Sequence, residues 1–106
     1  MNVLIADDHP LVRDALARTV QQLAADVQVR ETGDLEGLLR LAAQGDADLA
    51  LVDLNMPGMD GLQASRHIKS DETLKHPPHI VLVTAFGREE VREEAERLEL
   101  DGFLVK

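Results

Sequence analysis

Cysteine, tryptophan and tyrosine are absent from this 106-residue chain, and phenylalanine occurs only twice. Without cysteine there is no disulfide framework and no thiolate nucleophile, which suits a reducing compartment and makes the cytoplasm the expected location. Long apolar runs are missing too. Met1 leads directly into a short apolar segment at 3–6, with no basic leader and no stretch able to cross a bilayer, so neither targeting nor membrane insertion is expected. Positive charge is scarce: 11 Lys and Arg face 20 Asp and Glu, a formal net charge of -9. Such a balance repels nucleic acid and anionic membranes and favours cations or basic protein surfaces. Part of it is a solvated helix face at 88–97, so function must reside in acids that a surface helix does not explain. The length allows one hydrophobic core, with any output or catalytic unit lying elsewhere.

The apolar residues that are present fall into two periods. Strictly apolar, branched runs at 3–6, 49–52 and 80–83 read as strands buried on both faces, which is the pattern of a parallel sheet interior. The segment 27–32 alternates instead, with Val27 and Val29 opposed to Gln28 and Arg30, and 103–105 is short; both read as edge strands. Between them run helical periods: Val12, Leu16, Thr19 and Leu23; Leu35, Leu38, Leu39 and Ala42; Leu62, Ser65 and Ile68; Val91, Ala95 and Leu98. Asp34 and Asp60 stand at N-cap positions, Pro10 suits a first helical turn, and Gly45 suits a C-terminal cap. Five strands alternating with helices give an α/β fold, an open parallel sheet with helices on its faces and ligands beyond the strands' carboxyl ends.

Polar residues follow the apolar strands where such a site would lie: Asp7 and Asp8 after the first, Asp53 after the third, Thr84 after the fourth and Lys106 after the last. In a parallel sheet these converge on one edge. Crowded carboxylates repel, so the arrangement calls for a proton, a cation or a lysine among them. Oxygen-only ligands select a hard cation, and Mg2+, which keeps several waters and bridges to phosphate oxygens, suits the site; Mn2+ is a substitute. Lys106 and Thr84 can neutralise and hydrogen-bond phosphoryl oxygens. Asp53 is the natural nucleophile, forming an acyl phosphate. Taken alone, each residue has a plainer reading as a cap, a strand terminator or a solvated end. His9, His67, His76 and His79 share no helical face and read as solvated or capping residues.

The Asp7-Asp8 pair, LVDLNMPGMDG at 51–61, VTA at 83–85 and GFLVK at 102–106 occur in an order and at separations that resemble a response-regulator receiver domain. The resemblance covers almost the whole chain, making residues 1–106 one phosphoacceptor domain. It implies a flavodoxin-like three-layer sandwich with strand order 2-1-3-4-5. It makes Asp53 the acceptor of a phosphoryl group from a phosphohistidine on a sensor kinase or phosphotransfer protein. Asp8, Asp53 and the backbone carbonyl of Asn55 would ligate Mg2+, with Asp7 acting through water. Thr84 and Lys106 would hold the phosphoryl oxygens, Thr84 and Phe103 would form the switch, and Asn55 and Phe86 would tune the lifetime of the phosphorylated state. The switched surface would lie around the fourth helix and fifth strand.

Three other functions compete. An aspartyl-phosphate phosphatase also uses an Asp at a strand end with Mg2+, but its usual second acid, two residues on, is Asn55 here. A flavin or nucleotide module would need a phosphate-cradling loop and stacking aromatics, and the absence of tryptophan and tyrosine counts against it. A degenerate receiver serving only as an interaction surface would need an inactive pocket. Receivers continue past the lysine into a fifth helix, whereas this sequence stops at Lys106, so that helix is expected to be missing and a homodimer stays open. DDHP at 7–10 resembles receivers of helix-turn-helix transcription regulators, while 83–106 is closer to those of hybrid kinases.

Overall fold

The computed structural model describes residues 1–53, 61–74, 76–84 and 102–105; for Gly61, Leu62, Thr84 and Gly102–Val105 the backbone alone is described. The elements are β1 (Asn2–Ala6), α1 (Pro10–Leu23), β2 (Gln28–Thr32), α2 (Leu35–Ala42), β3 (Leu49–Asp53), α3 (Gly61–Lys69), β4 (His79–Thr84) and β5 (Gly102–Val105). The strands form one parallel sheet in the order β2-β1-β3-β4-β5, the order implied by the receiver resemblance. Each apolar run became a strand and gained a polar or aromatic residue at an end: Asn2, Asp53, His79 and Thr84 extend the ladders beyond the runs. β2 begins at Gln28, one residue later than its alternation suggests. The fourth helical period, the Asp60 cap and Lys106 lie outside the described residues.

Alternation across the sheet sorts the core into two layers. Leu4, Ala6, Ala50, Val52, Ile80 and Leu82 face one side, where they pack with Leu35, Leu38 and Ala42 of α2 and Ala64 and Ile68 of α3. Val3, Ile5, Leu51 and Val83 face the other side and meet Ala17 and Val20 of α1. Central strands buried on both faces need no polar face, which is why their sequences show none. No helix among the described residues is long and apolar enough to cross a membrane.

The helices begin and end largely as local chemistry dictates. Pro10 occupies the first turn of α1, where its missing N–H is harmless. Asp34 caps α2, its side chain accepting a 2.6 Å hydrogen bond from the Gly37 amide. α2 closes at Ala42 with Ala43 as C-cap, and Gly45, expected at the cap itself, lies two residues further on at φ 81°, its amide bonding to the Ala42 carbonyl. α1 departs from the expected stripe. Val12 and Leu16 are half-buried and the inward line continues through Ala17 and Val20, leaving Thr19 and Leu23 exposed. The spacing 12, 16, 20 keeps an apolar residue inward one position past Thr19, whose hydroxyl bonds back to the Ala15 carbonyl at 2.9 Å.

Gly37 is buried in the first turn of α2, and a Cβ there would collide with the Thr32 side chain at the end of β2. Thr32 is β-branched and cannot easily rotate away. At the opposite edge of the sheet, Arg30 on β2 bonds Asp46 at 2.6 Å and also reaches Gln44, and this guanidinium holds the Asp46 carboxyl below its ordinary 3.8.

Two outcomes follow. Gly37→Ala lowers stability to urea by about 1–3 kcal/mol, the cost of overpacking, although alanine is the better helix former by about 1 kcal/mol. Arg30→Met raises the Asp46 carboxyl in an NMR titration. Because the folded value is depressed, whatever Asp46 contributes to stability is present at neutral pH and lost as pH falls through the lowered value.

Candidate functional site

The register of the sheet builds the site. Ala6 pairs with Val52, so the next residues out, Asp7 and Asp53, emerge side by side at the carboxyl edge. Asp7 extends the ladder on its other side, its amide donating to the Thr32 carbonyl at 3.1 Å. Both carboxylate residues are buried, Asp7 at 0% and Asp53 at 2% exposure. Asp8 follows in the turn to α1, more open, with 29% of its side chain exposed. Thr84, the last residue of β4, sits one position past Val83, the partner of Asp53, so its backbone reaches the same edge. Phe103 lies in β5 opposite Leu82. Asn55, Phe86 and Lys106 fall outside the described residues.

The turn after β1 is held from both sides. The His9 amide donates to Asp7 Oδ1 at 2.9 Å, and Arg13 Nη1 donates to the Asp7 carbonyl at 2.8 Å while its Nε faces Glu31 at 3.5 Å. Arg13 thus secures the backbone of Asp7 and leaves its carboxylate directed into the cluster. His9 itself is the residue that the sequence reading missed. Its Nδ1 stands 3.1 Å from Asp7 Oδ1, 3.0 Å from Asp8 Oδ1 and 3.9 Å from Asp53 Oδ2. It occupies the N-cap position of α1 but makes no side-chain cap bond, because its ring is turned to the acids instead. Helical spacing could not reveal this, since a turn and not a helix face delivers it. The signal available was its place directly after two acids at a strand exit. His67, His76 and His79 are exposed and join no such group among the described residues.

One ligand atom from each of Asp7, Asp8, His9 and Asp53 lies within 4.8 Å of the others. Asp8 Oδ1 is buried and makes no hydrogen bond among the described residues, although the His9 ring is close. Three carboxylates at this spacing, two of them shielded from water, repel strongly, and desolvation adds to the cost. A multivalent cation relieves both, and a donor set dominated by carboxylate oxygen suits a hard one. The residues present therefore fit a metal ion.

The family described as Response regulator receiver domain matches residues 3–106. The chain is 36% identical over 109 residues to chemotaxis protein CheY-3 of Vibrio cholerae, covering all of this chain and 80% of that protein. It is 34% identical to the cyclic di-GMP phosphodiesterase response regulator RpfG of Xanthomonas campestris, again over all of this chain but only 28% of RpfG. In structure it is similar to the isolated REC domain of RcsB from Salmonella enterica serovar Typhimurium, solved in the presence of phosphomimetic BeF3-. The TM-score is 0.87 and the identity 29%, over all of this chain and 77% of that one.

Crowding of the acids has a measurable signature. Without added metal, Asp8→Asn melts at a higher temperature than the parent, because one repelling charge is gone. Adding a divalent cation at about a hundred times its dissociation constant stabilises the parent by about 2.7 kcal/mol and the variant far less, read from thermal melts with and without the ion.

Proposed function

The chain belongs to the response regulator receiver domain family of two-component signalling, and from that premise we propose that Asp53 is its phosphoacceptor. The observation that carries this reading is the burial of Asp53 beside Asp7 on neighbouring parallel strands, with Asp8 and His9 closing the group. An Asp53 oxygen attacks the phosphorus of a phosphohistidine on a sensor kinase or phosphotransfer protein. The new P–O bond makes an acyl phosphate as the P–N bond breaks, and the departing imidazole takes a proton from solvent.

In this reading Asp8, Asp53 and the Asn55 carbonyl hold Mg2+, or Mn2+ in its place, and Asp7 acts on it through water. The cation, when bound, offsets the negative charge that the carboxylates present to an incoming phosphoryl group. Thr84, at the end of β4, and Lys106, beyond β5, take the phosphoryl oxygens, and Phe103 couples the Thr84 loop to the outer surface. Asn55 and Phe86 set how soon water removes the phosphoryl group. Arg13 keeps the Asp7 backbone in place throughout, by its bond to the carbonyl.

The domain accepts a phosphoryl group, hastening its own phosphorylation and dephosphorylation, and does not turn over small phosphoesters. The phosphomimetic in the RcsB structure supports an acceptor pocket in this fold. A net charge of -9 favours a basic kinase or phosphotransfer surface over nucleic acid, and a cytoplasmic location suits such partners. Residues 1–106 are read as one receiver, with which a homodimer and a role in transcription regulation are compatible, and the chain spans 28% of RpfG against 80% of CheY-3.

The test is intact-mass analysis after incubation with acetyl phosphate and Mg2+. An acid-labile phosphoryl adduct appears on the parent and not on Asp53→Asn. A parent without any adduct overturns the reading, and steady release of phosphate from unrelated esters favours the phosphatase.

A further inference from the structure

We propose that His9 is a ligand of the metal site and shifts its preference from Mg2+ toward nitrogen-accepting first-row cations such as Mn2+, Co2+ and Ni2+; the inference rests on the metal reading of the pocket. At metal–donor distances of about 2.1 Å, adjacent corners of an octahedron lie about 3.0 Å apart and opposite corners about 4.2 Å. His9 Nδ1 is 3.0 Å from Asp8 Oδ1, an adjacent-corner spacing, and 3.9 Å from Asp53 Oδ2, close to an opposite corner.

A hydrogen-bonding role accounts for less of this geometry. One imidazole nitrogen offers at most one proton, yet it stands equally near two different carboxylates and faces a third. Asp7 Oδ1 accepts the His9 amide and hydrogen-bonds the ring nitrogen at 3.1 Å, but that single bond leaves the 3.0 Å approach of the same nitrogen to Asp8 Oδ1, which makes no hydrogen bond among the described residues, without a proton. Burial does not pin the ring either, since 62% of the His9 side chain is exposed. Among the described residues the ring is held by the acids, as a donor around a shared centre would be.

The chemical consequence follows from ligand type. Carboxylate and carbonyl oxygens alone suit Mg2+, Ca2+ or Mn2+, whereas an added imidazole raises affinity along the series from Mn2+ through Co2+ to Ni2+. The pocket then senses which divalent ion is available, and a nitrogen-bound ion competes with Mg2+ for the carboxylates.

The experiment uses the tag-free chain, with His9→Ala and His9→Gln, and reads binding directly. Pulsed electron paramagnetic resonance of bound Mn2+ shows a directly coordinated 14N in the parent and none in either variant. Calorimetry with Ni2+ and Mg2+ shows Ni2+ affinity falling on the order of tenfold or more in both variants, with Mg2+ affinity falling less. Absence of the 14N coupling in the parent, or an equal loss for both metals, overturns the proposal. If that happens while Asp53 still forms its phosphoryl adduct with Mg2+, only the role of His9 is lost. A failure of the adduct itself removes the reading beneath it.

Discussion

Like charges placed together out of water are the constraint from which the rest of this molecule follows. Parallel pairing of β1 with β3 brings Asp7 beside Asp53 at the same edge, and the turn that must follow β1 adds Asp8. A fold that only needed to be stable would place neutral side chains there. The two apolar layers on either face of the sheet have to hold the strands in register against that repulsion. The polar contacts of the first turn, from the His9 amide and from Arg13, serve the same end by fixing where the Asp7 backbone and carboxylate point. What this arrangement stores is an appetite for positive charge, which a signalling domain can convert into a response.

Much of the fold could be read before it was seen, because its strongest signals are of the kind that survive without tertiary context. The runs at 3–6, 49–52 and 80–83 became central strands since nothing but double-sided burial rewards such uniform apolarity. Asp7, Asp8 and Asp53 came together because strand exits in a parallel sheet share an edge whatever the details of packing. Where the reading slipped, the deciding contact was local and three-dimensional. On α1, Thr19 and Val20 are nearly equivalent by period, and only the sheet beneath decides which faces in. Gly37 carries no signal of its own in the sequence, and its role rests on the Thr32 side chain packed against it. By its spacing from the other histidines His9 reads as solvated, whereas its meaning comes from two acids immediately before it and one far along the chain.

The relatives divide by what surrounds the shared domain. CheY-3 has little chain beyond the region matched here, while RpfG has most of its length elsewhere. A module reused in such different settings must keep its chemistry within its own strands and turns. The described half of the pocket does so: Asp7, Asp8, His9 and Asp53 come from two adjacent strands and one turn, and need no second chain to assemble.

At the far edge of the sheet, Asp48 joins three strands by itself. Its carboxylate accepts the Asn2 amide at 2.7 Å, its own amide donates to the Asn2 carbonyl at 2.8 Å, and its carbonyl accepts the His79 amide at 3.0 Å. Strands this uniform in apolarity carry little information about alignment, and a slip of one residue would shift a strand by about 3.3 Å. Such a slip between β1 and β3 would carry Asp7 past Asp53 and scatter the cluster. Asp48 therefore works as an indexing pin, setting from roughly five residues away the alignment on which the chemistry at the other end relies.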